Sequence, residues 1–315
     1  MAPESDSALT LKVSNGSPYQ INSEQVLRAS VALLNHIKTT TEKNESNSKK
    51  VTLLDEDPLD SKPIWLQLTT KVHIAAEKRL KPIKYTLPHP LNTDPTKTIC
   101  LFTTDPQRAA KDLIASSEFP AHLSARITRV IGLKKLKSKW SQYESQRKLL
   151  REHDIFLADD RITKSLPAIL GKTFYKNTTK RPIPIDIQKS VPRKGGKRIK
   201  KLKGDPPRGL TDAKSMGAEI ENAIQAAVIY LSASTNVAAR VGYASWSAEK
   251  VQENVEALSN FLIDRVVSKK WRGVKSLHIK GAETTSLPIW LAEELWTDEK
   301  DVLENCATEN SNEKN

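Results

Sequence analysis

The sequence predicts an α/β protein of two domains, a split α+β domain interrupted by an inserted α/β domain. Three observations predict it. Segments near both ends alternate apolar and polar residues with period two, the pattern of strands buried on one face. The middle instead carries nearly continuous apolar strands separated by helical stretches, which indicates a parallel sheet covered on both faces. The length, 315 residues, is enough for two cores.

Residues 1–16 are polar, lack the basic-then-apolar order of a signal peptide, and are expected to be disordered. The stretch from Asn22 to Thr39 reads as a helix: Asn22 can cap it, Gln25 sits three residues on, and Val26, Leu33, Leu34 and Ile37 make one apolar face. Thr40 to Lys62 is polar and mixed in charge, a mobile loop by composition. Pro63 to Lys71 then alternates, with Ile64, Leu66 and Leu68 on one side and Trp65, Gln67 and Thr69 on the other.

In the middle, TICLFTTD (98–105) is an apolar strand followed by a helix from Pro106. ARITRVIGL and HDIFLADD repeat the theme, with the Lys- and Gln-rich helix KKLKSKWSQYESQRKLLREH between them. After Lys180 the half-buried pattern returns in PIPIDIQ, with Ile183, Ile185 and Ile187 alternating with proline or polar neighbours. Met216, Ile220, Ile224, Ala227 and Leu231 mark a helix. In NVAARVG, Val237, Ala239 and Val241 point one way and Arg240 the other. Val251, Val255, Leu258, Leu262 and Val266 recur at helical spacing, and KSLHIKG turns Leu277 and Ile279 inward with Ser276, His278 and Lys280 outward.

The outer domain is thus placed at 17–91 and 180–296, with four alternating strands and three helices forming an open-faced sheet covered on one side. The Rossmann-like insertion is placed at 92–179, and the acidic end, 297–315, is expected to be disordered.

Charge narrows the function classes. Lys and Arg total 50 against 37 acids, a net charge of +13, which favours a polyanionic partner. No run of eighteen apolar residues exists, so no membrane helix is expected. Two cysteines without a shared motif exclude a CxxC zinc site and a disulfide framework, and a reducing intracellular compartment fits.

One stretch resembles pieces of a nucleotide site: Asp159 and Asp160 close an apolar run, and Gly171-Lys172-Thr173 follows. A P-loop needs glycine five residues before its Gly-Lys-Thr, so that backbone amides wrap the phosphates, and that position is Leu166. The order is inverted as well, and TICLFTTDPQRA carries no GxGxxG. The six histidines form no HExxH, and no GxSxG or Cys/His nucleophile pattern occurs. The adjacent aspartates point to opposite sides of a strand end, where a cap before Ile162 is the expected role. Nothing argues for catalysis, a cofactor or a metal.

The same stretch, DIFLADDRITKSLPAILGKTFYKNTTKRPIPIDI, resembles the segment of the ribosomal protein L1 family in which a strand-end aspartate precedes a Leu-Gly turn and a proline-bearing return strand. ARVGYASWSAEKVQENVEAL is similar to that family's strand, glycine and Glu-Asn helix, and WRGVKSLHIKGAETTSLPIWL to its final RNA-facing strand and loop. The resemblance spans Ser17 to Trp296 and implies the L1-like two-domain fold. FLADDRI, LPAILGKTFY, PIWLQLTTK and LPIWLAEELW are similar to the nucleolar assembly-factor branch of the family. That branch implies a non-catalytic factor binding precursor rRNA near the second internal transcribed spacer of nucleolar pre-60S particles, with assembly factors and ribosomal proteins as partners. Alternatives are a small-subunit processome paralogue, a mature-ribosome component, or an interaction adaptor such as a proteasome tether. Where the ribosomal protein has a Thr-Met-Gly-Pro turn on rRNA, this chain reads Thr285-Ser286-Leu287-Pro288. The ribosomal protein's own grip on stalk rRNA is therefore not implied.

Pattern and resemblance together place the RNA contacts. The open sheet face would carry Trp65, Gln67, Thr69, Lys71, Arg240, Ser276, His278 and Lys280: cations for phosphates, short polar groups for 2′-hydroxyls, an aromatic for a base. The loop residues Thr284, Thr285 and Ser286 join them by resemblance. The densest basic cluster is Lys189, Arg193, Lys194, Lys197, Arg198, Lys200, Lys201 and Lys203, a segment that also suits nuclear import. A second cluster, Lys134, Lys135, Lys137 and Lys139, opens a helix whose dipole it opposes, a cost an external anion would relieve; an ordinary solvated helix fits equally.

Overall fold

The computed structural model describes residues 20–47, 62–77, 79–176, 179–189, 193–194, 197–198 and 209–296. The chain divides into an outer unit, Met1–Arg79 with Leu87–His89 and Ile229–Asn315, and an inserted unit, Leu80–Thr86 with Pro90–Val228. The expected N-terminal and acidic C-terminal disorder lies outside the described residues.

The outer unit is a four-stranded antiparallel sheet with one face buried. Strand β1 (Pro63–Thr70) lies between β10 (Asn236–Tyr243) and β11 (Val274–Lys280), and β12 (Leu287–Leu291) extends the sheet beyond β11. Helices α1 (Ser23–Asn47) and α8 (Ala248–Arg265) pack on each other and cover the sheet. Ile64, Leu66, Leu68, Val237, Ala239, Val241, Leu277 and Ile279 are buried beneath them, as period-two alternation requires. Each of the valine, leucine and isoleucine side chains contributes about 1.5–3 kcal/mol by leaving water. Asn254 on α8 is buried because its amide is fully used. It accepts the His89 N–H (2.9 Å) and donates to the carbonyls of His89 (2.9 Å) and Val241 (2.8 Å).

The inserted unit is a three-layer α/β/α body. Strands β3 (Ile99–Thr103), β4 (Ile127–Gly132), β5 (Ile155–Asp159) and β6 (Ile183–Ile185) form a parallel sheet in the order β4-β3-β5-β6. One face packs on α2 (Gln107–Ile114), α3 (Ala121–Arg126) and α7 (Ala213–Gln225), through Ala110, Leu123, Met216, Ile220 and Ile224. The other packs on α4 (Leu133–Lys139), α5 (Tyr143–Glu152) and α6 (Leu166–Tyr175), through Leu136, Leu149, Leu166 and Leu170. At its centre Phe156 stacks on Phe102 (5.9 Å) and meets Phe174 edge-on (5.0 Å). Strand β2 (Ile83–Thr86) pairs with β9 (Ala226–Ile229).

Several elements depart from expectation. PIPIDIQ is not part of the outer sheet: β6 pairs in parallel with β5, and the outer sheet's fourth strand is β12. The reason is coverage. A parallel sheet needs both faces sealed, and α7 supplies part of one face, so the inserted unit runs on to Val228 rather than stopping near Thr179. Ala227 and Leu231 leave the helix they were assigned to, which ends at Gln225. The polar run after Thr39 stays helical to Asn47 because Thr41 is buried, its hydroxyl donating to Ile37 O (2.7 Å) and accepting from Lys62 Nζ (2.6 Å). The long Lys-rich helix breaks at Trp140, whose carbonyl accepts the buried Gln146 side-chain amide at 3.1 Å.

Strand β5 ends as expected. Asp159, fully buried, accepts the Arg161 backbone N–H (3.0 Å), Arg161 Nη2 (2.6 Å) and the Thr104 hydroxyl (3.3 Å), capping a 3-10 turn at Asp160–Ile162. Gly171 interrupts α6 with φ 53° and ψ −149°, a conformation natural to glycine alone. The residues that resembled a nucleotide site therefore form a cap and a kink. Replacing Arg161 by Met should lower the unfolding free energy by about 3 kcal/mol in denaturant titration, because the Asp159 charge would stay buried without its partner.

Candidate nucleic-acid interface

The open face of the outer sheet is organised in three cross-strand rows. Pairing of β1 with β10 and β11 sets Trp65 between Arg240 and Lys280. In the next row Gln67 lies between Ala238 and His278, with Pro288 beyond His278. In the third, Thr69 lies between Asn236 and Ser276, with Leu291 at the edge. Directly opposed side chains on one face are about 5 Å apart at Cβ. Separate strands thus bring one aromatic ring between two cations, a grouping that no local stretch of sequence contains.

Trp65, Gln67, Thr69, Arg240, His278 and Lys280 are all half-buried, accessible without being loose. The Arg240 guanidinium stands 5.6 Å from the Tyr243 ring centroid, and Tyr243 meets Trp246 edge-on at 5.8 Å. These contacts reduce the freedom Arg240 must lose on binding an anion. Burial lowers the His278 imidazole from its ordinary value, so it stands neutral near pH 7 and offers one donor and one acceptor.

Two predicted face residues differ. Ser276 is only 7% exposed, because β12 makes β11 an interior strand and its short side chain sits between Thr69 and Leu291. Lys71 lies beyond the end of β1, and its ammonium donates to the Trp296 carbonyl at 2.9 Å. Burial lowers its pKa, opposed by Glu294 and reinforced by Arg272. It lines a cavity of about 350 Å³ with Trp271, Trp290, Glu293 and Glu294, a setting that ties Lys71 to its own chain.

The β11–β12 loop is held by the Thr284 hydroxyl, which accepts the Gly281 N–H at 2.8 Å. A Cβ on Gly281 would stand 3.1–3.2 Å from Thr284 and from Ile37 of α1, so glycine suits this tight approach. Thr284 therefore shapes the loop, while Thr285 and Ser286 are exposed.

The densest basic segment belongs to the inserted unit, not the outer domain. Lys189 is exposed, and its base is clipped shut by Lys189 N–H to Gly209 O (3.1 Å) and Thr211 N–H to Ile187 O (3.0 Å). Within it, β7 (Arg193–Lys194) and β8 (Lys197–Arg198) pair antiparallel, with Arg193 opposite Arg198 and Lys194 opposite Lys197. Lys200, Lys201 and Lys203 lie outside the described residues. For the second cluster the relieving anion is internal: Asp105 accepts the Lys134 backbone N–H at 3.0 Å.

Sequence reasoning missed Asn236, Pro288 and Leu291, which complete the rows; Leu291 is 59% exposed. The alternation in LPIWL could have revealed β12. Among the described residues no helix is long and apolar enough to cross a membrane, and no group of three His, Cys, Asp or Glu is placed to hold a metal.

Comparison with known proteins agrees with this architecture. The family described as ribosomal protein L1p/L10e matches residues 33–285, which takes in most of both units. The chain belongs to the ribosomal protein L1 family. A Schizosaccharomyces pombe protein named for ribosome biogenesis is 34% identical over 251 residues, 80% of this chain and 60% of that protein. A second from the same yeast, named likewise, is 25% identical over 240 residues, 76% of this chain and 74% of its own. The ribosomal L1 domain-containing protein 1 of Mus musculus is 26% identical over 217 residues, 68% of this chain and 42% of that protein. The L1 family chain described here thus spans about 60% of the length of the first of these relatives.

Acid should destabilise this L1 family member through buried His153 and half-buried His278. His278 is lowered by burial, and His153 by burial and then by Arg129. Each binds a proton less readily folded than unfolded, so stability rises with pH below the unfolded value and is lost as pH falls through about 6.5. Denaturant midpoints measured from about pH 7.5 down to about pH 5.5 should decline, and His153→Gln should flatten the decline.

Proposed function

We propose that this protein is a non-catalytic ribosome assembly factor that holds precursor rRNA on the open face of its outer sheet. The observation that carries the reading is the row Arg240–Trp65–Lys280, a stacking surface between two phosphate-binding cations. Beside it, Gln67, Thr69 and neutral His278 match the donor and acceptor needs of 2′-hydroxyls, groups that distinguish RNA from DNA. Family membership and relatives named for ribosome biogenesis support the assembly role.

The finer assignment rests on sequence resemblance to the nucleolar branch of the family. On that basis the RNA is the second internal transcribed spacer region of large-subunit precursors. The partners are pre-ribosomal assembly factors and ribosomal proteins, and the site of action is the nucleolus. A binding rather than catalytic role is supported by the strand-end carboxylates, which are committed elsewhere: Asp159 to Arg161, and Asp160 to Lys81 at 2.6 Å.

Crosslinking and sequencing of RNA from purified complexes should recover precursor spacer sequence. Recovery of mature rRNA alone would overturn the proposal. In purified protein, the double variant Arg240→Ala, Lys280→Ala should reduce the slope of log affinity against log salt by about 1.4, the amount expected for two lost phosphate contacts on a single strand.

A further inference from the structure

We infer that the inserted unit carries a second RNA contact: a basic groove beside edge strand β4 that takes the phosphate backbone and reads no bases. The inference rests on the RNA-binding reading above and extends it to a surface made by different residues.

The groove is a cavity of about 460 Å³. Its cations come from three elements, with Lys111 on α2, Arg129 on β4, and Lys135 and Lys139 on α4. Convergence from separate elements distinguishes it from a solvated helix face. The acids nearby are already engaged. Glu152 holds Arg129 at 2.7 Å, Asp112 holds Arg108 at 2.9 Å, and Asp105 caps α4 through Lys134 N–H. Lys111 and Lys135 are exposed and have no acidic partner among the described residues. Lys135 and Lys139 stand one helical turn apart, about 6 Å at Cβ, on the same wall.

Three features select a phosphate chain. Trp140 is only 7% exposed, with Lys139 5.4 Å and Arg129 6.0 Å from its ring centroid, so the ring is closed to a stacking base. The Gln107 side chain donates to the Val130 carbonyl, which occupies a main-chain acceptor on the edge strand and disfavours an added peptide strand. What remains on offer is donors and positive charge, the complement of an acceptor-only polyanion.

The test uses the full chain, a short fluorescein-labelled single-stranded RNA, and anisotropy titrations across a range of salt. The triple variant Lys111→Ala, Lys135→Ala, Lys139→Ala should lower the slope of log affinity against log salt by about 2, with the melting temperature unchanged. The corresponding Lys→Arg triple variant, which keeps the charge, should retain the slope. A folded alanine variant with an unchanged slope overturns the inference, even if it loses a bound protein, since that outcome would assign the groove to an acidic polypeptide. If that variant keeps the slope while Arg240→Ala, Lys280→Ala lowers it, only the groove is refuted; if neither variant lowers it, the RNA reading fails as well.

Discussion

One-sided burial of a period-two sheet is the constraint on which the outer unit depends. Helices α1 and α8 seal one face, so Ile64, Leu66 and Leu68 must turn inward and Trp65, Gln67 and Thr69 outward. A slip of one residue would expose the aliphatic set and bury the polar one, an exchange no contact on the open face could offset. Register therefore comes from the core, and the open face inherits it. Irregularities between Ile64 and Trp65 on the β10 side, and between Leu277 and His278 on the β12 side, adjust which residues share a row without breaking the alternation. The grouping of Arg240, Trp65 and Lys280 is thus a consequence of packing on the opposite face.

The inserted unit obeys a different rule. Its sheet is buried on both sides, so β3 and β5 are apolar throughout, and chemistry is left to strand ends and the sheet edge. The order β4-β3-β5-β6 puts a topological switch between β3 and β5, where folds of this kind commonly bind ligands. Here that point holds Thr104, Asp159 and the Arg161 guanidinium, bonded to one another. A bound phosphate would have to compete with Asp159 for the same arginine. In the groove beside β4 Arg129 is held by Glu152, but Lys111, Lys135 and Lys139 have no acidic partner among the described residues, which is why the edge rather than the switch is the site of interest.

Legibility in the sequence tracked how local each feature is. Strand β1 and the inward sets of β10 and β11 follow from alternation within single segments, and the buried strands β3 and β5 from unbroken apolar runs. The pairing of β6 could not be read this way. In PIPIDI the prolines took the place of polar residues, yet Pro182 and Pro184 are buried, and β6 is tolerated at a sheet end because proline's missing N–H then costs no ladder bond. Its partner β5 was as plausible from pattern as any outer strand. Ser276 was legible as outward-facing but not as covered, since its burial comes from β12, a strand the alternation reading overlooked. Composition located Lys135 and Lys139, but only the fold sets Lys111 and Arg129 opposite them.

On the proposed reading the two basic surfaces would do unlike physical work, a difference that bears on how a transcript is selected. Around Trp65 the cations flank an aromatic ring and neutral hydrogen-bonding groups, so RNA binding there would depend on unpaired bases and 2′-hydroxyls as well as charge. At the β4 groove the ring of Trp140 is shielded and charge would act alone, so an RNA contact there would be indifferent to sequence and steeply salt-dependent. Joining two such contacts in one chain would make the second association intramolecular, with a gain set by whether the RNA can reach both. A transcript that offers unpaired loops as well as continuous backbone would meet the chemical demands of both surfaces without any additional base contact.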